Sequence, residues 1–461
     1  MNKKVSTAIA LISIMIISLT AGAHVNLAKA QSTKTIVVPD DYPTIQAAID
    51  ASADNGAIFV RSGNYSEDLV INKPLSLVGE NKYSTIVTGI GNTVCLIEHD
   101  KVNVTGFTFT RNIAVQWYHN DIHLLGAYDC SIYGNIITNA TRGVWVYDSS
   151  FNNIYSNTFV GDGIVFQSQN SQNVIGSNYN NVTNNNLTNS SDFSIIFYNG
   201  SHNTVADNYI AFNRVGIEEA STVFNGNLIY DNQIINNSVG IANGMLTNRE
   251  QSLGNEIIGN NITGSDRGLW LDSDHSVITD NNITGNEVAI YMEGSQDNTI
   301  DRNIIQGTVN AVALGPRNNY QVAIQPLTNP TRIYLNNITG SVDFSDPYIP
   351  YCKWDNGTVG NYWSDYQSKY PNASEVGNLG IWDTPYLLNA NNLDNYPLVN
   401  QVDINAPAPT PTPIPTLSPS ELPTSLPPSP SVPEFPTWVV PSIFLLTALA
   451  VVVAVEAKRK H

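Results

Sequence analysis

Short runs in which apolar and polar residues alternate recur along the chain from Ile86 to Leu335, each about four to six residues long and separated by Gly or Asn. Period-two patterning of this kind predicts strands with one buried face, and no useful length of helical periodicity interrupts it. The strands come in two alternating half-units. One is Asn, any residue, an aliphatic, two residues, then Asn, any, and Ile or Phe. It occurs as Asn153-Asn157-Phe159, Asn203-Asn208-Ile210, Asn227-Asn232-Ile234, Asn255-Asn260-Ile262 and Asn298-Asn303-Ile305, and more weakly around Asn281 and Asn336. The other opens on a small residue, as in Gly143-Val144-Trp145-Val146, Gly163-Ile164-Val165-Phe166, Gly268-Leu269-Trp270-Leu271 and Ala289-Ile290-Tyr291-Met292.

The full repeat is about twenty-two residues. A strand this short cannot bury its apolar face alone, but stacking one coil on the next at roughly 4.8 Å buries it. A propeller blade needs about twice this period. The pattern therefore predicts an all-β, right-handed parallel β-helix over residues 57–344. Asn157, Asn208, Asn232, Asn260, Asn281 and Asn303 should form one inward column, each amide bonding the amide of the neighbouring coil. Pro43 to Asp50 reads as a short amphipathic helix capping the first coil within residues 31–56, and the aromatic-rich stretch 345–400 reads as an irregular C-terminal cap.

Alignment of the coils on the small residue points Val144, Ile164, Ile195, Ile217, Ile241, Leu269, Ile290 and Val312 inward. The residues one and three places later then point outward. They include Trp145 with Tyr147, Val165 with Gln167, Ile196 with Tyr198, Glu218, Trp270 with Asp272, and Tyr291 with Glu293. Outward rings on one sheet suit the apolar faces of sugars, and carboxylates beside them suit sugar hydroxyls. Trp145, Tyr147, Tyr198, Trp270, Asp272, Tyr291 and Glu293 are thus the candidate carbohydrate-binding residues. Asp272 and Glu293 share a repeat position in neighbouring coils, which puts their carboxylates roughly 5 Å apart. The pair could be a solvated edge, be bridged by calcium, or serve as catalytic carboxylates.

The two ends of the chain are not solenoid. Met1 to Lys4 is basic, Val5 to Ala23 is apolar or small, and Ala28-Lys29-Ala30 offers a cleavage site, so residues 1–30 read as a signal peptide. Residues 401–436 are rich in Pro, Thr and Ser, an extended stalk. Residues 437–461 hold an apolar run of about bilayer length followed by Lys458-Arg459-Lys460, which predicts export of the body and attachment to the membrane by the C-terminus.

Net charge is −18, and removing the basic ends leaves an exported part near −23. Such a body is a poor partner for nucleic acid or anionic lipid, and a better one for cations or neutral glycans. The three cysteines, Cys95, Cys130 and Cys352, are too few for a disulfide framework and read as small buried apolar residues. Sequons such as Asn64, Asn103, Asn139, Asn181, Asn261, Asn282 and Asn337 suit an exported glycoprotein. Copper favours His, Met and Cys ligands. His119 and His123 lie four apart in a non-helical region where that spacing does not align them, and read as surface residues.

The opening Asp41 to Asp50, with Val60, Gly63-Asn64-Tyr65 and Leu77 to Asn81, resembles the start shared by pectin-active β-helix proteins and the NosD-like family. The middle is similar to the repeats of carbohydrate-binding proteins and sugar hydrolases. Asn361 to Tyr366, Asp383-Thr384-Pro385-Tyr386 and Asp394 to Leu398 resemble the C-terminal signature of NosD-like proteins, and Pro433-Glu434-Phe435-Pro436 resembles the PEF sorting signal of archaeal surface proteins. The Asp- and Gly-rich run that the family carries before Asp-Thr-Pro-Tyr is here Ser368 to Trp382, with Glu375 and no other acid. Three functions stand against one another. They are non-enzymatic glycan binding or adhesion at the cell surface, a polysaccharide lyase, hydrolase or esterase, and the copper-site assembly role that the NosD resemblance implies.

Overall fold

The computed structural model describes residues 35–112, 119–168, 176–220, 226–244, 254–293, 295–315, 329–344 and 352–404. The predicted signal peptide, almost all of the stalk, the membrane segment and the PEF motif lie outside them. Among the described residues no helix is long and apolar enough to cross a membrane.

The fold is a right-handed parallel β-helix of about twelve coils. Each coil contributes up to three strands. The first face is a 14-stranded sheet running from Ile36–Val38 to Cys352–Lys353, every neighbour parallel. The second face stacks Gly63–Ser66, Thr85–Gly89, Thr108–Arg111 and their successors. The third stacks Leu69–Ile71, Thr93–Ile97, Asn120–Leu125, Arg142–Tyr147 and onward to Arg267–Leu271. In the last coils the second and third faces fuse into long bulged strands, Asn282–Glu293 and Ile304–Gly315. The helix Ile45–Ala51 is capped by the Thr44 hydroxyl and buries Ile45, Ala48 and Ile49 over the first coil. The first strand precedes this helix, and Cys352–Lys353 and Tyr362–Trp363 extend the sheets beyond Asp343.

The asparagine column forms at the corner between the first and second faces. It runs Asn135, Asn157, Asn185, Asn208, Asn232, Asn260, Asn281, Asn303, Asn336 and Asn361, each Nδ2 donating to the Oδ1 of the next at 2.9–3.2 Å. The same Oδ1 also accepts the backbone N–H of the preceding rung, as Asn281 does from Asn260 at 2.9 Å. The residue before each rung from Asn135 to Asn336 is left-handed, as Ser156 (φ 57°), Asp207, Asp231, Asp280 and Leu335 (φ 55°) are. That geometry turns the corner, and it explains the excess of Asp, Asn and Gly there. A second corner column links Asn152, Asn180, Asn203 and Asn227, and a third links Asn213 to Asn237.

The recurrent small residue of the sequence is explained at the third corner. A Cβ at Gly240 would lie 2.5 Å from the Gly268 carbonyl oxygen and 2.7 Å from Ile262, so the backbones of successive coils meet where a side chain has no room. The inward column of the third face reads Leu124, Val146, Phe166, Phe197, Glu219, Asn243, Leu271, Met292 and Leu314. Two polar residues therefore interrupt an apolar core. Glu219 is fully buried and accepts from Asn227 Nδ2 at 2.9 and 3.1 Å. Asn243 accepts from Asn255 Nδ2 at 2.6 Å and donates to Ser276 Oγ at 3.1 Å. Burial pushes the Glu219 carboxyl up to about 8. All three cysteines are buried and free.

Candidate functional site

The predicted aromatic positions all project from the third face, but they form two groups rather than one platform. The first centres on Trp145. His123 stacks on its ring at 4.2 Å and 15°, the Arg142 guanidinium lies 4.4 Å from its centroid, and Tyr147 meets it edge-on at 5.1 Å. In the next coil the register sets Val165 beside it. With His123 stacked on one side and Val165 in register on the other, the Trp145 ring is flanked by both neighbouring coils. Tyr198 stands near this group and is 36% exposed.

Between the groups most outward positions are closed, Glu218 alone of the named ones in register there being half-buried. Val165, Ile196 and Ala220 form a small buried apolar cluster outside the main core, with Trp145 and Phe193 packed against it, and Ala242 is fully buried. The alternation gave their direction correctly. It could not give their burial, because period two orients a side chain without saying what covers it.

The second group is built on Arg267–Leu271 and the neighbouring strand Asn282–Glu293. Their register sets Trp270 beside Tyr291, and the two rings meet edge to face at 5.8 Å and 82°. The Arg267 guanidinium lies 4.5 Å from the Trp270 ring centroid and 4.2 Å from that of Tyr291. The Trp270 indole N–H donates to Glu293 at 3.0 Å. Trp270, Tyr291 and Asp272 are half-buried, whereas Glu293 is only 3% exposed. Glu293 is therefore not the exposed sugar acceptor that its position in the sequence suggests. It is the anchor that fixes the indole. Among the described residues no group of three or more His, Cys, Asp or Glu could hold a metal ion, so the Asp272–Glu293 pair lacks the further carboxylates that a calcium cage draws on.

The sequence reading also missed two features. Phe151, Tyr179 and His202 stack in successive coils at 5.3 and 5.0 Å, with Phe151 and Tyr179 about half exposed. Each immediately precedes a rung of the second corner column, the signal that would have found them. Inside the third corner, Arg111 Nε lies 3.3 Å from Asp121, and both side chains are fully buried. Burial and the nearby Asp162 hold the Asp121 carboxyl far above its usual range, and burial raises Asp162 to about 7. Arg111 also donates to the carbonyls of Gly91, Asn92 and Asn120. Sealed from solvent, this cluster belongs to the core.

A family profile described as "Periplasmic copper-binding protein (NosD)" matches residues 52–249 and 242–368. The chain belongs to the NosD family. The matched residues end before the Asp383–Tyr386 and Asp394–Leu398 segments. No curated protein matches this NosD chain.

The copper of the family description finds no fitting donor set among the described residues. His119 and His123 are not on the surface as their spacing suggests, but 3% and 9% exposed. Burial, with Arg142 adding its charge, pushes His123 down to about 4, and its ring is committed to the stack on Trp145. Met292 and the three cysteines are buried at separate places in the solenoid. No soft-ligand cluster results.

Solved structures share the fold at low identity. The catalytic unit of a thermostable GH87 α-1,3-glucanase from Streptomyces thermodiastaticus is 17% identical with a TM-score of 0.53, over 72% of this chain and 70% of the glucanase. DFA-IIIase from Arthrobacter chlorophenolicus, in complex with GF2, is 12% identical with a TM-score of 0.51, over 72% and 98%. The Dettilon tailspike protein aligns at 15% identity and a TM-score of 0.48 over 67% of this chain, which spans 64% of the tailspike's length.

Proposed function

We propose that this NosD-family protein is an exported, membrane-anchored glycan-binding protein, and that its contact region is the Arg267–Trp270–Asp272–Tyr291 surface held by Glu293. The observation that carries this reading is the bond from the Trp270 indole to buried Glu293, with Arg267 lying over both rings. A half-exposed aromatic corner fixed from beneath costs little ordering when a sugar ring lies on it. Arg267 and Asp272 at its rim supply a donor and an acceptor for hydroxyls. Binding rather than cleavage fits the same geometry. A hydrolytic pair needs two carboxylates facing one bond, and Glu293 is withdrawn from solvent behind the indole. The glucanase and DFA-IIIase neighbours act on sugars with this fold, which makes a saccharide ligand natural for it. An exported body agrees with the periplasmic setting in the family description.

The test is retention on a panel of immobilised neutral and acidic polysaccharides, with product analysis in parallel. Wild type should be retained on at least one glycan without releasing new reducing ends or unsaturated products. Trp270→Ala with Tyr291→Ala should abolish retention while the chain stays folded, with a lowered thermal midpoint because buried Glu293 loses the indole donor. Released products would favour a lyase or hydrolase instead. Unfolding of the double variant would make the rings core.

A further inference from the structure

The last two strands of the first face end on a pair of cations. Thr331–Tyr334 and Cys352–Lys353 are parallel and in register, Arg332 opposite Lys353. Both side chains point outward and are exposed. In-register neighbours in a sheet stand about 4.8 Å apart, and like charges at that distance repel. In the preceding coil Arg332 is aligned with Thr299, which carries no charge. Neither cation forms an ion pair among the described residues. The one carboxylate lining the same groove, Asp355, is 9% exposed and ties its own turn to the segment after the hairpin, accepting from Gly357 N at 2.9 Å and from Asn395 N and Nδ2 at 3.1 and 2.8 Å. In a chain of net charge −18 with 21 Lys and Arg in all, two adjacent cations without an ion-pair partner among the described residues are a local exception.

The pair does not lie on open surface. It lines a groove of about 300 Å³ whose other walls are the turn at Asn356 and Gly357 and the hairpin tip at Asn391 and Asn392. Asn356 Oδ1 is occupied, accepting from the Thr358 N–H and hydroxyl and from the Val359 N–H. Asn391 is exposed at the hairpin tip and lines the groove, and a carboxamide can both donate to and accept from a hydroxyl. We infer that this groove is an anion subsite for an acidic sugar, whose carboxylate or sulfate ester sits between the Arg332 guanidinium and the Lys353 ammonium while the pyranose lies against the asparagine wall. Arg332 supplies a planar fork and Lys353 a compact charge, and an oxyanion between them converts their repulsion into two charge-assisted bonds. The groove belongs to the first face and the aromatic corner to the third, so the two assignments stand or fall separately.

The experiment is microcalorimetric titration of the intact chain at low ionic strength with glucuronate, glucose 6-sulfate, glucose and inorganic sulfate. Glucuronate or glucose 6-sulfate should bind, and which one does names the oxyanion. Glucose should not bind. Arg332→Gln and Lys353→Gln should each weaken binding by about tenfold or more, and without ligand each should melt at or above the wild-type temperature because a repulsion has been removed. Trp270→Ala with Tyr291→Ala should leave this binding intact. Equal binding of glucose, or unchanged binding by the charge variants, would overturn the subsite. Inorganic sulfate binding as tightly as the sugar acids would overturn its assignment to a sugar.

Discussion

The carboxylate of Asp394 accepts the backbone N–H of Asn361 at 2.7 Å and so closes the asparagine column at its C-terminal end. The same oxygen accepts the Trp363 indole N–H at 2.9 Å, and the other accepts Tyr396 N at 3.0 Å. One acid thus joins the ladder, the last strand and the aromatic cap. Asp394→Ala should destabilise by roughly 3 kcal/mol or more, since three buried donors lose their acceptor. Asp394→Asn should fall between, because one amide oxygen can serve Asn361 and Trp363 but not Tyr396 as well. Denaturant melts that place Ala within 0.5 kcal/mol of wild type (about the size of a bland surface change) would show that the cap is not held by this residue.

Asn260→Leu tests the interior of the ladder. Asn260 Oδ1 accepts the N–H and the Nδ2 of Asn232, and its own Nδ2 donates to Asn281 Oδ1. Leucine has a similar volume but leaves the Asn232 backbone N–H without its acceptor and breaks the amide chain, whereas Asn281 Oδ1 keeps the backbone N–H of residue 260 and Asn232 Nδ2 keeps the Val205 carbonyl. A loss of about 1–3 kcal/mol is expected for each group that water cannot reach. Equilibrium unfolding of the variant beside a surface control such as Val309→Ala measures it, and equal stabilities would mean that the column is decorative.

Stability should fall as pH rises from about 4.5 to about 8. Glu219 titrates near 8 in the fold because burial penalises its charge, against an ordinary value of 4.5. Its folded pKa is raised, so its contribution is complete below about pH 4.5 and is lost as pH rises through about 8. Asp394, pushed up to about 7 chiefly by burial, acts in the same direction. Glu219→Gln should flatten the upper part of the profile, gaining on wild type by up to a few kcal/mol between pH 5 and 9. Parallel wild-type and variant profiles would contradict a buried ionisation there.

Deleting residues 437–461 should release the exported body into the medium. If the truncated chain still sediments with membranes after a high-salt wash, the anchor lies elsewhere.

Much of the architecture was legible because it repeats. Asn157 through Asn303 each stand two residues before an inward Phe, Leu or Ile, and a side chain needed at every corner leaves a trace at every corner. The small residue recurs for a like reason, the close approach of Gly240 to Gly268. What does not repeat was harder to see. Glu219 and Asn243 occupy an inward column that carries Phe197 and Leu271 on either side, and a single polar residue in a strand carries no mark of its direction. Arg111 and Asp121 were hidden likewise, their pairing arising from separate faces. The candidate site was half legible. Alternation placed Trp270 and Tyr291 on one face, but the indole's grip on Glu293 depends on rotamers that no pattern encodes.

Every rung of the asparagine column is chemically the same as its neighbours, and this has a consequence for how the chain finds its order. A coil that docked on the wrong coil would still satisfy its amides and its aliphatic row. The ladder rewards stacking but carries no address. Order must come from the places where the repeat is broken, because only there does a mismatch cost anything. Among the described residues the Phe166–Phe197 stack at 4.6 Å, the Glu219–Asn227 bond and the sealed Arg111–Asp121 pair each occur at one coil step. These irregularities, costly in themselves, are the marks by which one coil is told from the next.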